Sequence, residues 1–486
     1  MIDHLSFTTS LISMAHWAVV VGLSIRVIMR RLPVGVSLAW LTIIFSIPLV
    51  GAMAYLFIGE NRLSRKYLHR AAAIHQVYSE WQEDLRKRAS LTAPTADPAF
   101  SSLQHHARAL VGFPVMEGNR LRLMHDFETV FTSIISDIDG ARRTCHLEFY
   151  IWEPGGLADQ VGEALIRAGG RGVAVRVLVD AIGSKQFLKG RLARDLRHAG
   201  VHVAVSLPVG PLQVFTTRAD LRNHRKIIVI DGEIAYTGSQ NLADPRFFKQ
   251  DRGVGRWIDA MVRIEGPVVE AMAGVFIEGW EMDTGEGLEK PEIASDVGPL
   301  NQRGRTDVQV VPSGPGSRAD AIRQLLLSAI YSARKELVIT TPYFVPDDTV
   351  YTALISAAHR GVSVILVVPE KVDSRLAHYA SQSLYHDLLS SGVRVARFRG
   401  GLLHTKSVTV DGEFCIFGSV NLDMRSLWLD FEISLFVYDR DFTEQVRAMQ
   451  EGYLMDAGIL DLKEWQARPA IHRFLENTAH LVGPLL

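Results

Sequence analysis

The chain has 486 residues, and its 52 Lys and Arg side chains against 53 Asp and Glu give a formal net charge of -1. This length suggests about three structural units and is ample to bury a hydrophobic core. A collagen-like, disulfide-stapled or disordered chain is excluded by the composition. Without an overall positive field, the chain is not expected to hold nucleic acid through counterion release. Cys145 and Cys415 lie in apolar runs, which favours buried, reduced thiols.

The N-terminus contains two apolar runs without charged residues, 5–25 and 32–59. Each is long enough for a helix that crosses a bilayer, which needs about 20 residues for roughly 30 Å of hydrocarbon. A short basic connector joins the runs, so the sequence predicts a two-helix transmembrane hairpin. A cleaved signal peptide is the competing interpretation, but residues 1–4 lack the expected positive charge.

Beyond a polar connector, strand and helix patterns alternate and then occur a second time. The strands CHLEFYIWEP and RGVAVRVLVD of the first pass correspond to ELVITTPYFVPD and RGVSVILVVPE of the second. The pattern predicts an α/β fold of two homologous lobes, each with a mixed β-sheet flanked by helices. The predicted division is a transmembrane hairpin at 1–60, a helical connector at 61–110, a first lobe at 111–295, a second lobe at 296–460 and a C-terminal helical segment at 461–486. For the last segment, an interfacial amphipathic helix and a helix docked against the second lobe both fit the sequence.

Both copies of the repeat end in the string H-x-K-x4-D-x6-G-S-x-N, called the paired motif below. Its copies agree at all six fixed positions, which chance does not explain for two strings in register with a repeat. The first copy comprises His224, Lys226, Asp231, Gly238, Ser239 and Asn241, and the second comprises His404, Lys406, Asp411, Gly418, Ser419 and Asn421.

The paired motif combines residue types suited to phosphoryl transfer. On an extended segment, a period of two puts the His and the Lys on the same face. Imidazole can attack phosphorus and can deliver a proton to a departing oxygen near pH 7. The lysine supplies positive charge for phosphate oxygens, while Ser and Asn add neutral donors. One copy provides a nucleophile or an acid, and two facing copies provide both.

The chain resembles the phospholipase D superfamily, whose hallmark is the paired HxKxxxxD string. More narrowly, the stretches AYLFIGENRLSR, TPYFVPDD, NLDMRSLWLDFE and the ending GPLL resemble the bacterial cardiolipin synthases. The resemblance implies transfer of a phosphatidyl group between two phosphatidylglycerol molecules, through a phosphohistidine, to give cardiolipin and glycerol. It implies no metal and no nucleotide cofactor. It also implies membrane phospholipids as partners and a multi-pass protein of the bacterial inner (cell) membrane. The basic residues that follow the second apolar run and the reduced cysteines favour a cytoplasmic catalytic part.

The resemblance also assigns roles to the residues of the paired motif. His224 and His404 become the nucleophile and the general acid, and we take His224 as the nucleophile. Phosphate-holding roles fall to Lys226, Lys406, Asn241 and Asn421, with Ser239 and Ser419 in support.

Four carboxylates complete the candidate site. Asp259 and Glu432 each follow one copy of the motif and are expected to orient a histidine ring, as in a catalytic triad. Which carboxylate serves which histidine stays open. Asp231 and Asp411 count among the candidate catalytic residues, but each begins a D-G-E turn, so a structural role in that turn is an equal alternative.

Other functions fit the same residues. Water, another alcohol or another phospholipid could accept the phosphatidyl group. A membrane-anchored nuclease would use the same chemistry, although the near-zero charge and the apolar N-terminus argue against it. A catalytically inactive membrane scaffold is disfavoured because both copies of the motif are complete. The sequence leaves the oligomeric state open, a homo-oligomer included.

Overall fold

The computed structural model describes residues 2–30, 34–59, 63, 65–90, 100–208, 210, 218, 220–287, 297–315 and 320–481. The chain falls into two compact units. One comprises Met1–Leu68 and Val209–Leu221, and the other comprises His69–Pro208 and Arg222–Leu486. Each is described here by itself.

The first unit contains three apolar helices, α1 (Ile2–Met29), α2 (Val34–Ser46) and α3 (Pro48–Ile58). They pack around a small core in which the rings of Trp40 and Tyr55 meet edge to face at 5.4 Å. The break between α2 and α3 falls at Ile47, because a proline disfavours helical geometry in the residue before it.

Part of the predicted hairpin therefore differs from expectation, since the described residues of the run 32–59, from residue 34 on, form two shorter helices. In the part of the chain that the structure describes, no helix is both long and apolar enough to cross a bilayer. The two expected membrane spans are not confirmed and stay predictions.

The second unit is built on a large mixed sheet. Its strands, including four short ones outside the main sheet, are β1 (Met116–Met124), β2 (Thr144–Phe149), β3 (Ala174–Asp180), β4 (His202–Ser206), β5 (Lys226–Ile230), β6 (Ile234–Gly238), β7 (Trp257–Ile258), β8 (Met261–Glu265), β9 (Thr306–Ser313), β10 (Glu336–Thr340), β11 (Phe344–Val345), β12 (Ser363–Pro369), β13 (Arg394–Phe398), β14 (Leu402–Leu403), β15 (Ser407–Val410), β16 (Phe414–Gly418), β17 (Leu422–Asp423), β18 (Glu432–Val437) and β19 (Ala457–Ile459).

Helices cover this sheet, and the first of them, α4, begins in the first unit. They are α4 (Arg65–Ser90), α5 (Ser101–Val111), α6 (Phe127–Gly140), α7 (Leu157–Gly170), α8 (Lys185–Lys189), α9 (Arg191–His198), α10 (Val268–Thr284), α11 (Ala321–Ser332), α12 (Asp348–His359), α13 (Arg375–Ser390), α14 (Met424–Trp428), α15 (Arg440–Met455), α16 (Leu462–Gln466) and α17 (Ala470–Leu481).

The main sheet has the strand order β19-β13-β12-β10-β15-β16-β18-β9-β1-β8-β6-β5-β2-β3-β4 among the described residues. β1 and β9 form the central antiparallel pair, and the strands on the two sides of this pair follow one another in equivalent order. On either side, the strand at the motif lysine, β5 or β15, lies between an antiparallel hairpin partner and an antiparallel neighbour, β2 or β10. Parallel strands follow, as α/β crossovers require. The predicted mixed α/β fold is confirmed, while the domain boundaries stay predictions.

The sheet is buried on both faces where it carries the paired motif. Every residue of β2, β5 and β15 is buried, as expected for near-continuous apolar strands covered by helices on both sides. Cys145 and Cys415 are buried within this core and form no disulfide with each other, which confirms the prediction from their apolar surroundings. The packed sheet thus holds the two motif-bearing strands in a fixed frame.

Candidate active site

Short backbone pairings between the two halves of the sheet hold each motif histidine. β7 pairs in parallel with β14, and the His404 N–H donates to the Ile258 carbonyl at 2.8 Å. In the other half, Asn223 forms a parallel bridge with Phe431, and the His224 N–H donates to the Phe431 carbonyl at 2.8 Å. Each histidine is thereby fixed beside the residue that precedes a carboxylate of the opposite half.

The side chains of these neighbours form two crossed pairs. Nδ1 of His404 lies 2.6 Å from Oδ1 of Asp259. Nδ1 of His224 lies 2.9 and 3.0 Å from the two carboxylate oxygens of Glu432. The partner that the sequence left open is therefore, for each histidine, the carboxylate from the other copy of the repeat. Because an ionised carboxylate only accepts hydrogen bonds, Nδ1–H of His404 donates to Asp259, and Nδ1–H of His224 donates to Glu432 when that carboxylate is ionised. This tautomer leaves Nε2 for chemistry.

Two buried lysines flank the rings. Nζ of Lys226 donates to the carbonyl oxygen of His224 at 2.6 Å, and Nζ of Lys406 donates to that of His404 at 2.5 Å. Burial lowers the pKa of Lys226 to about 8 and that of Lys406 to about 7, against the favourable charges of Asp259 and Glu432. The site concentrates positive charge that an incoming phosphate would neutralise.

Burial and the two lysines also keep the imidazoles neutral. The pKa of His404 falls to about 3, first because the ring is buried and then because of Lys406, despite the opposing charge of Asp259. Burial likewise lowers the pKa of His224 well below its ordinary value. A neutral imidazole is the nucleophilic form of the side chain.

The two carboxylates differ in charge state. Burial would raise the pKa of Asp259, but His404, Lys406 and Ser239 outweigh it, and the pKa lies below its usual value. In Glu432 burial dominates and raises the pKa to about 7, with Lys226 opposing. Near neutral pH, Asp259 is therefore fully ionised, while Glu432 is close to its midpoint.

Ser239 and Ser419 support the carboxylates rather than pointing freely into the site. Oγ of Ser239 accepts the N–H of Ala260 at 3.0 Å, and Oγ of Ser419 accepts that of Ile433 at 3.0 Å. Ala260 and Ile433 each follow a histidine-pairing carboxylate. The Ser-x-Asn turn thus holds the backbone of the carboxylate in its own half.

The asparagines of the paired motif occupy buried positions near these turns. Oδ1 of Asn241 accepts the N–H of Ile151 at 3.2 Å, which leaves its amide donors for other groups. Asn421 is buried, and its amide contributes a hydrogen bond to Asp423 that opposes the rise which burial causes in that carboxyl's pKa.

The structure does not bring Asp231 and Asp411 to the histidines. Each follows the far end of its motif strand, about 16 Å from the lysine end at 3.3 Å per residue. The Asp231 carboxylate accepts the backbone N–H groups of residues 142–144 at 2.7–3.2 Å, and Asp411 accepts those of 334–336 at 2.7–2.9 Å. Both residues also have positive φ, 54° and 55°. These contacts favour the structural alternative for both aspartates.

Two aromatic rings outside the paired motif pack beside the histidine rings. The ring of Tyr150 lies 5.0 Å from that of His224, and the ring of Trp257 lies 4.5 Å from that of His404. Oγ of Ser426 donates to Glu432 at 2.7 Å. The position of Trp257 two residues before Asp259 was a usable signal, because alternate residues of a strand share a face.

A polar cluster borders the His404 side. The hydroxyl of Tyr343 donates to Asp373 at 2.5 Å, and Nζ of Lys249 pairs with the same carboxylate at 3.0 Å. Lys249 also lies 4.9 Å from the centre of the Trp257 ring. Within the described residues, no group of three or more His, Cys, Asp or Glu side chains is arranged to hold a metal ion.

Comparisons with known proteins identify the family of the chain. A family model described as "Cardiolipin synthase, PLD-like domain" matches residues 134–272 and 326–452, and one described as "Phospholipase_D-nuclease N-terminal" matches residues 18–60. The chain is 43% identical over 476 residues to the proteins called cardiolipin synthase A in Salmonella arizonae and Salmonella paratyphi B, covering 98% of this chain and 98% of each relative.

Among solved structures, the chain is similar to a phosphatidylserine synthase of Haemophilus influenzae. The TM-score is 0.59 at 18% identity, over 79% of this chain and 100% of that one, which supports a shared fold. The family matches cover more than half of the chain, and the relatives align along nearly all of it. The chain therefore belongs to the cardiolipin synthase family of phospholipase D-like proteins.

Proposed function

We propose that this protein is a phosphatidyltransferase that makes cardiolipin and glycerol from two molecules of phosphatidylglycerol. The observation that carries the proposal is the pair of crossed histidine–carboxylate contacts, His224 with Glu432 and His404 with Asp259, beside two buried lysines. This arrangement supplies a nucleophile, an acid and a positive cradle for one phosphate. The names of the close relatives point to the same substrates.

In the first half-reaction, Nε2 of neutral His224 attacks the phosphorus of the bound phosphatidylglycerol. A nitrogen–phosphorus bond forms, the bond from phosphorus to the glycerol oxygen breaks, and that oxygen takes a proton from Nε2 of His404. Lys226 and Lys406 balance the charge of the phosphate oxygens. Asn241 and Asn421 are proposed to donate hydrogen bonds to the same oxygens, while Ser239 and Ser419 keep the turns in place.

Substrate binding prepares His404 for this role. In the free site, burial and Lys406 hold its pKa at about 3. A bound phosphate neutralises the lysines, so the pKa of His404 rises and an imidazolium forms against ionised Asp259. The acid is thus available when a leaving group is present.

The second half-reaction reverses these roles. Neutral His404 removes the proton of a primary hydroxyl on a second phosphatidylglycerol, and the alcohol oxygen attacks phosphorus. The nitrogen–phosphorus bond breaks, which restores His224 and releases cardiolipin. Water as acceptor would give phosphatidic acid, so the identity of the acceptor is part of the test.

The proposal includes the location of the protein. The two apolar runs at 5–25 and 32–59 support an N-terminal hairpin anchor in the bacterial inner membrane. A cytoplasmic catalytic part fits Cys145 and Cys415, which are not joined in a disulfide. The repeated strand order supports two lobes, with the boundaries 111–295 and 296–460.

The test is incubation of the detergent-solubilised full chain with glycerol-labelled phosphatidylglycerol, without added metal or nucleotide. We expect equal amounts of cardiolipin and free glycerol, and neither product from His224→Ala or His404→Ala. Phosphatidic acid in place of cardiolipin would replace the synthase with a hydrolase. Cardiolipin from either histidine variant would contradict the two-histidine mechanism.

A further inference from the structure

Helix α17 presents its large apolar side chains to solvent. Ile471, Phe474 and Leu481 are 59%, 66% and 79% exposed, and Leu475 is 42% exposed. At 100° per residue these positions share one side of the helix. An apolar stripe of this kind on a docked helix ordinarily faces the core, so its exposure needs an explanation.

The opposite side fixes α17 to the protein. Ala479 is buried in a cluster with Ala380 of α13 and Val345. Glu476, 2% exposed, accepts hydrogen bonds from Arg468 at 2.5 and 3.1 Å. The helix therefore docks through small and paired residues, which fits the alternative of a helix docked against the second lobe.

The charges on α17 complement an anionic surface. Its single acidic residue, Glu476, is buried and paired, as just described. His472, Arg473 and His480 are all exposed. The solvent-facing part of the helix thus combines an apolar stripe with one positive charge, Arg473, two histidines and no exposed carboxylate. This composition suits the interface of an anionic lipid bilayer.

A chain of contacts leads from α17 to the candidate active site. α17 packs against α13, and Asp373 lies just before the first turn of α13. Nζ of Lys249 donates to the Asp373 carboxylate at 3.0 Å. The same Nζ lies 4.9 Å from the ring centre of Trp257, which packs beside His404. Leu376 on the first turn of α13 is itself 41% exposed. The apolar stripe and the site are connected through one helix.

We propose that α17 lies in the interface of a phospholipid bilayer, with Ile471, Phe474, Leu475 and Leu481 among the acyl chains. The choice of lipid as the partner rests on the proposed function, since a lipid substrate must reach the site from a membrane. The helix then holds the site next to the surface that carries its substrate. This contact is additional to any anchoring by the N-terminal helices.

The test uses a fluorophore on a single introduced thiol. Because Cys145 and Cys415 are buried, an environment-sensitive dye will label Phe474→Cys selectively. His480→Cys, which is exposed and lies 120° around the same helix from position 474, is the matched control. The full chain is reconstituted into vesicles of phosphatidylcholine and phosphatidylglycerol that contain lipids brominated in the acyl chains.

We expect a blue-shifted emission for the dye at 474 and severalfold stronger quenching than at 480. Equal quenching at the two positions would overturn the proposal. Neither readout depends on catalysis, so failure of the proposed function leaves the result interpretable.

Activity provides a second test. Phe474→Ser combined with Leu481→Ser changes two exposed side chains and leaves the buried contacts of α17 intact. Loss of these apolar groups is expected to reduce turnover of vesicle-borne lipid by about tenfold. Turnover of lipid dispersed in detergent should be unchanged. An equal loss in both assays would indicate a structural role and contradict membrane docking.

Discussion

Asp259 and His404, which are 145 residues apart in sequence, form a 2.6 Å hydrogen bond that joins the two halves of the sheet. The matching contact between Glu432 and His224 crosses in the opposite direction over 208 residues. Each copy of the repeat thus supplies a histidine to its own half-site and a carboxylate to the other. Neither half contains a complete histidine–carboxylate pair.

This crossing predicts unequal effects of the two carboxylates. Asp259→Asn keeps the shape of the side chain but removes the charge that fixes the His404 tautomer, so we expect kcat to fall about 10²–10⁴-fold. Glu432→Gln should cost less, because burial already places the pKa of Glu432 at about 7. Steady-state kinetics near pH 7 on the two purified variants checks the order. A larger loss in Glu432→Gln would contradict the assigned charge states.

The depressed pKa of His404 predicts a stability effect in acid. Its pKa is about 3 in the folded protein and 6.5 in the unfolded chain, so the unfolded chain binds more protons between these values. The free energy of unfolding therefore falls as the pH drops below 6.5, by up to about 1.4 kcal/mol per pH unit from this group. His404→Gln should flatten this slope, as measured by denaturant unfolding from pH 7 to pH 4. An unchanged slope would contradict a buried, neutral imidazole.

Asp411 is expected to matter for folding more than for chemistry. Asp411→Ala removes the acceptor of three backbone N–H groups and should lower the free energy of unfolding by about 1–3 kcal/mol. Asp411→Asn retains an acceptor and tolerates positive φ, so its loss should be smaller. Thermal denaturation and kcat are measured on the folded fraction of each variant. A large loss of kcat in a fully folded Asp411→Asn would return Asp411 to the reaction.

The motif glycine Gly418 allows a close approach of strands. A Cβ at this position would lie 2.3 Å from the carbonyl oxygen of Ile433, next to Glu432, and 2.8 Å from Cα of Ser434. Gly418→Ala must therefore displace β18 and with it Glu432, the carboxylate that pairs with His224. We expect kcat to fall roughly 10–10²-fold.

Gly452 provides the matched control for this substitution. It lies in helix α15, and a Cβ there would have no heavy atom within 4 Å. Gly452→Ala should keep full activity and gain about 0.5–1 kcal/mol of stability from helix propensity. Unchanged activity in Gly418→Ala would mean that the position of β18 does not control the site.

The sequence predicted the candidate reacting groups because the H-x-K spacing places two side chains on one strand face. It could not pair Asp259 with His404, since that contact depends on β7 meeting β14, a pairing between distant segments. The packing direction of α17 was likewise open, because periodicity defines an apolar face but not what covers it. Asp231 and Asp411 illustrate a further limit, since residues of a shared string can serve the turn instead of the pocket.

The most direct test of the account is identification of the covalent intermediate. The full chain is mixed with phosphatidylglycerol, quenched at alkaline pH during turnover, digested and mapped by mass spectrometry. We predict a phosphatidyl group on His224 of the unaltered chain. The His224→Ala variant should show neither this adduct nor cardiolipin. An adduct on His404, or cardiolipin formed by His224→Ala, would contradict the assignment of nucleophile and acid across the two halves.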